Sequence, residues 1–116
     1  KFEEWIEDEE NYRITVTEFQ RIGGQNYAQT TRKIMYKMIS NEVAIMFSWD
    51  GLKKKASFKC LKLAKAILEA MKIQYMEVSE SNIVDVIKTF LVKAKERINL
   101  GDKKKTKALA DEIQKN

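Results

Sequence analysis

Between residues 25 and 98 the apolar positions recur at three- and four-residue intervals, the spacing that gathers side chains on one side of an α-helix. Tyr27, Ala28, Ile34, Met35, Met38 and Ile39 mark a first helix over about residues 25–39. Ser40 or Asn41 then stands ahead of Val43, Ala44, Met46 and Phe47, with Glu42 in the first turn. A capping residue followed by an early acid predicts a short second helix. Ser48–Lys55 contains Asp50-Gly51 and reads as a loop. A third helix is expected over about Phe58–Lys72, with Phe58, Leu61, Ala64, Ile67, Leu68 and Met71 on one stripe. The fourth follows Ser79 or Ser81, carries Ile83, Val86, Ile87, Phe90, Leu91, Ala94 and Ile98, and stops at Asn99-Leu100-Gly101, which fits a left-handed cap.

Outside this block the pattern weakens. Tyr12–Phe19 is β-branched and loosely alternating, which predicts a short extended piece closed by Gly23-Gly24. Residues 1–10 read as an acidic linker in which Phe2, Trp5 and Ile6 dock as a short turn. In residues 101–116 only Leu109 and Ile113 form a helical pair, which predicts a basic, weakly docked helical tail. The expected fold is therefore all-α: about four main helices, an extended N-terminal segment and a weak C-terminal helix. Its core should hold Ile34, Met35, Met38, Val43, Phe47, Phe58, Leu61, Ile67, Leu68, Ile87, Phe90 and Leu91.

Length and composition narrow the chemistry. At 116 residues, 44% hydrophobic and 34% charged, the chain suits one helix-rich domain with a core of its own. No apolar run approaches the roughly 18 residues of a membrane span. The acidic start, KFEEWIEDEE, does not fit a signal peptide and is expected to open a segment of a longer protein. With no histidine, zinc fingers, His-based triads and HExxH sites are ruled out. The single cysteine, Cys60, leaves no CxxC site or internal disulfide, and its spacing from Ala64 and Ile67 suggests a small core residue. The glycines form no phosphate-cradling loop. Carboxylates such as Asp50, or Glu77 near Glu80, have no apolar cleft implied around them to split their pKa values. The expectation is a non-enzymatic module with no cofactor, no metal and no small-molecule substrate.

Charge supplies the positive signal. The net +5 conceals an asymmetry: residues 1–10 hold six acids against Lys1, leaving 21 basic and 11 acidic groups in the rest, a net of +10. Such a balance is an electrostatic footprint for acidic partners, although a solvated lysine-rich surface gives the same count. Lys53, Lys54 and Lys55 are expected to open the third helix, with Lys59, Lys62 and Lys65 following, and Lys55, Lys59 and Lys62 sharing an exposed flank. Arg32, Lys33 and Lys37 form a second set. Lys88 and Lys95, seven apart, form a third with Lys93 and Arg97. Lysines in such arrays make phosphate contacts that give affinity and salt dependence with little sequence information. Trp49 lies in the polar turn and is expected to fold back over the helices.

The order of features in Thr31–Lys72 resembles the BEN domains: TRKIMYKMI, then NEVAIMFS, the turn WDGLKKKASF, and LKLAKAILEAM. It is closer still to a related invertebrate (insect-type) domain of unknown function. There an RIGG segment precedes the first helix, as Arg21-Ile22-Gly23-Gly24 does here. The turn also matches, through Phe47-Ser48-Trp49 with Gly51 and Lys55 with Phe58. The resemblance covers about residues 19–98 and places a BEN-like helical domain at 11–100. It implies an all-helical module that binds DNA or proteins, often as a dimer, in chromatin-linked or viral proteins, with contacts from the last helix and nearby loops. On that basis double-stranded DNA is the expected partner and the nucleus the expected location. The contacts would come from Lys53, Lys54, Lys55, Lys59, Lys62, Lys88, Lys93, Lys95 and Arg97. The last helix departs from the pattern in having one arginine, where base reading favours arginines or bidentate amides. A protein-interaction or homodimerisation module without DNA binding is the alternative, and the methionine-rich set Met35, Met38, Met46, Met71 and Met76 suits it.

Overall fold

A computed structural model describes residues 2–100 and shows an all-α bundle. Its elements are α1 (Phe2–Ile6), α2 (Glu9–Arg21), α3 (Tyr27–Met38), α4 (Asn41–Ala44), β1 (Phe47–Ser48), β2 (Ala56–Ser57), a 3-10 turn (Phe58–Cys60), α5 (Lys62–Gln74) and α6 (Glu80–Val92). Lys93 interrupts the last helix, and helical backbone resumes over 94–100. The expected tail helix at Leu109 and Ile113 lies outside the described residues.

Two pairs make the bundle: α2 packs on α5, and α3 on α6. Ile34, Met35, Phe58, Ile67, Met71, Ile83 and Ile87 are completely buried between them. Ser40 and Ser79 cap α4 and α6, as the sequence suggests, and Asn26 caps α3. Asn26 Oδ1 accepts from Gln29 N–H, Ser40 Oγ from Val43 N–H and Ser79 Oγ from Asn82 N–H. Each fills one of the orphan donors of a helix start.

The N-terminal region corrects two expectations. Residues 12–19 are helical, not extended. Asp8 caps α2 by accepting from Glu10 and Asn11 N–H, and Glu9 and Glu10 sit favourably in its first turn. The β-branched residues are accommodated because Thr15 and Thr17 turn their hydroxyls back onto the carbonyls of Asn11 and Arg13. Thr15, Val16 and Phe19 form the buried face. Nor is the acidic start a linker: α1 is a helix, Ile6 is fully buried, and α1 packs on both α2 and α5.

Glu3 explains why α1 is held there. The third helix begins at Lys62 rather than Phe58, and Leu61, in its N-cap position, provides no capping side chain. The Glu3 carboxylate takes over, accepting from Lys62 N–H at 2.7 Å and Leu63 N–H at 3.0 Å. The shift takes Cys60 off the core stripe and leaves it exposed. Met38, Val43, Phe47, Leu61 and Leu68, expected in the core, are half-buried at its margin.

Candidate nucleic-acid interface

The segment Ser48–Ser57 is a tightly tied turn. Ser48 Oγ accepts from Leu52 N–H at 2.9 Å, and Leu52 C=O from Lys55 N–H at 3.2 Å. Trp49 C=O receives both Ser57 Oγ–H at 3.1 Å and Lys59 N–H at 3.2 Å. At its base β1 and β2 pair in parallel, Phe47 beside Ala56 and Ser48 beside Ser57. Gly51 has φ +78°, and a Cβ there would approach Ser57 to 3.1 Å. Lys53 and Lys54 also adopt left-handed backbone, at φ 58° and 64°. That conformation is uncommon for side-chain-bearing residues and persists only where surrounding contacts enforce it. Lys53, Lys54 and Lys55 are thus displayed on a shaped turn, not at the start of a helix. All three are exposed.

The turn faces α6. A groove of about 240 Å³ runs between them, lined by Phe47, Trp49, Asp50, Leu52, Lys55, Lys88 and Val92, with Ser48 at its base. Lys88 is thereby brought beside the lysine turn, although 33 positions separate it from Lys55 in the sequence. Among the described residues none of Lys53, Lys54, Lys55, Lys88, Lys93 and Lys95 is ion-paired. The carboxylate lining the groove, Asp50, is held by Lys59 Nζ at 3.0 Å. That hydrogen bond and the Asp50 charge raise the Lys59 pKa, so the ammonium is held charged against the carboxylate and offsets it locally. Trp49 half-buries its indole against Phe58, ring centres 6.3 Å apart, and its remaining surface walls the groove.

The rest of the expected basic set does not join this face. Lys55, Lys59 and Lys62 share no flank, because a strand and a 3-10 turn intervene where one continuous helix was expected. Lys59 is spent on Asp50. Lys62, with Lys65, lies over the Tyr12 ring at 5.4 and 5.8 Å, in a cleft that also contains Glu3 and Glu7. The helix N-terminus there, an otherwise inviting anion site, is already occupied by the Glu3 carboxylate. Lys93 and Lys95 are exposed beyond Val92. Arg97 is turned inward: its guanidinium carbon sits 3.8 Å from the Phe90 ring centre and Nε donates to Asn41 Oδ1 at 2.8 Å. Its Nη2 is buried without a partner among the described residues. This arginine clamps the 94–100 stretch to α4 and α6. It is not placed to read a base.

A second, larger cleft of about 580 Å³ lies along α2 and α5, lined by Tyr12, Leu68, Ile73 and Met76 with charged residues at its edges. Those charges are internally matched: Lys72 pairs with Glu80, and the Tyr12 hydroxyl donates to Glu69. Partial burial, then the Glu69 contact, raise the Tyr12 pKa. Sequence reasoning missed the roles of Leu52 and Val92, since single exposed apolar residues carry no signal until their neighbours are known. No group of three metal-ligating side chains occurs among the described residues, and no helix there is long and apolar enough to cross a membrane. No family model, curated protein or solved structure matches this chain.

Proposed function

We propose that this domain is a non-catalytic DNA-binding module that grips the phosphate backbone of duplex DNA through the 48–57 turn and α6. One observation carries this: the turn that displays Lys53, Lys54 and Lys55 sets Lys55 beside Lys88, in a groove whose lining carboxylate is already paired with Lys59. Lys93 and Lys95 extend the same charge beyond the end of α6. Lysine contacts of this kind bring affinity without base discrimination. The BEN-like succession of elements in the sequence leans the same way, and a nuclear, chromatin- or transcription-associated role follows from it. With Lys59, Lys62 and Arg97 engaged elsewhere, the proposed contact set is Lys53, Lys54, Lys55, Lys88, Lys93 and Lys95. Anisotropy titration of a labelled random duplex of about 20 base pairs tests it, since non-specific binding has a Kd of roughly 1–100 µM at physiological salt. Saturable binding that tightens as salt is lowered is expected. Absence of binding at tens of micromolar protein in low salt removes the proposal.

The second reading, a self-association module, is favoured by the α2/α5 cleft, where Ile73 and Met76 stand exposed beside Leu68. Sedimentation at rising protein concentration separates the two: a strict monomer discards it.

A further inference from the structure

We infer that the groove between the 48–57 turn and α6 is a slot for one unpaired base of the bound DNA, an inference that rests on the DNA-binding proposal above. A phosphate-gripping surface needs cations and nothing apolar. This one has both. Leu52 and Val92 form opposite parts of the lining while remaining 66% and 77% exposed, and Trp49 walls the space they flank. The sugar–phosphate backbone offers these three side chains nothing to bury against, whereas the flat face of a base does. Lys55 and Lys88 line the same groove and are placed to take the phosphates on either side of that base. Asp50, which would repel them, is held by Lys59.

Size and rigidity agree. At about 240 Å³ the groove falls below the 300–1,000 Å³ of sites for drug-sized ligands, which suits a single ring system. Its walls are preformed, because the hydrogen bonds of Ser48, Trp49 and Ser57 and the left-handed Gly51 set the turn. Bases of a fully paired duplex remain in the stack, out of reach of such a slot. A bulged or otherwise unpaired base leaves the stack at little cost, so the slot favours DNA that contains one.

The test uses the full chain with Trp5→Phe, which leaves Trp49 as the sole tryptophan. Three duplexes of equal length are titrated at one salt concentration: fully paired, carrying a one-nucleotide bulge, and carrying the same bulge as an abasic site. The bulged duplex is expected to bind about tenfold more tightly than the paired one and to quench Trp49, as base–aromatic stacking implies. The abasic bulge, equally flexible but lacking the ring, should bind like the paired duplex and leave the fluorescence unchanged. Leu52→Ser, a surface change, should erase most of the preference while paired-duplex binding persists. Equal affinity for all three duplexes without quenching overturns the slot but leaves the phosphate-gripping surface standing. Failure to bind any duplex overturns both. Quenching by a polyglutamate peptide as strong as that by the bulged duplex would assign the groove to acidic protein and refute the base slot.

Discussion

The salt dependence of duplex binding should identify which lysines make contact. Lys55 and Lys88 border one groove, Lys53 and Lys54 are exposed on the same turn, and Lys93 and Lys95 lie beyond Val92, so binding through all six neutralises about six phosphates and gives a log–log salt slope near −5.4. Between roughly 50 and 200 mM salt, affinity then falls about 1,800-fold. Replacing Lys53, Lys54 and Lys55 together by glutamine leaves about three contacts, a slope near −2.7 and a loss of only about 40-fold over the same range. The left-handed backbone at Lys53 and Lys54 is no more strained with glutamine than with lysine, and all three side chains are exposed. Stability should therefore stay within about 0.5 kcal/mol of the parent. The matching control is Lys62→Gln with Lys65→Gln, which removes the same kind of charge from the Glu3/Glu7 face and should leave the slope unchanged. Anisotropy titrations at four or more salt concentrations, with melting curves for each variant, supply the numbers. If the control flattens the slope and the triple variant does not, contact is made on the other face and the assignment is wrong.

Four further outcomes check the fold beneath this surface. Ile6→Ala, at a position with no exposure, should cost about 2–5 kcal/mol in urea unfolding, and a loss below 1 kcal/mol would mean α1 is not docked. Gly24→Ala should destabilise by about 1–3 kcal/mol, because its Cβ would overlap Thr30 Oγ1 and crowd the Thr30 backbone nitrogen at 2.9 Å, while Gly23→Ala, with open space around it, should be nearly neutral. Arg97→Lys gives up the flat contact on Phe90 and the Asn41 bond, so thermal stability should drop by about 1–2 kcal/mol with the salt slope intact; a flattened slope would show Arg97 reaching DNA after all. Ultraviolet titration should find one tyrosine ionising later than the ordinary value of 10, and Glu69→Gln should bring it back part of the way. Since the folded state favours the neutral phenol, its stabilising contribution is present below pH 10 and fades as pH rises above that value.

Local signals were legible and long-range ones were not. Ser40 and Ser79 announce the helices they cap, and Gly51 announces its turn, because each acts within a few residues of itself. The 12–19 segment misleads because its β-branched residues favour strands in general, while the Asp8 cap and the burial of Thr15, Val16 and Phe19 in the packing of α2 on α5 favour a helix there. The part played by Glu3 was invisible, since it depends on Lys62 and Leu63 coming within hydrogen-bond reach. The lysine clusters fared in between. Lys53, Lys54 and Lys55 are all exposed on one turn, but Lys59 and Lys62 depart to separate partners, and only folding reveals Lys88 as a neighbour of Lys55.

The reach of Glu3 also bears on the order in which the chain acquires protection from solvent. The first amides of a helix ordinarily exchange freely, having no carbonyl ahead of them. In α5 the Lys62 and Leu63 amides are held by a side chain 59 and 60 positions away. Their hydrogen-exchange rates thus report on the docking of α1 and not on the integrity of α5 itself. A short helix closed by so distant a contact forms late and opens early. Those two amides should be the first in the bundle to lose protection when the domain is mildly destabilised, well before its central helices unfold.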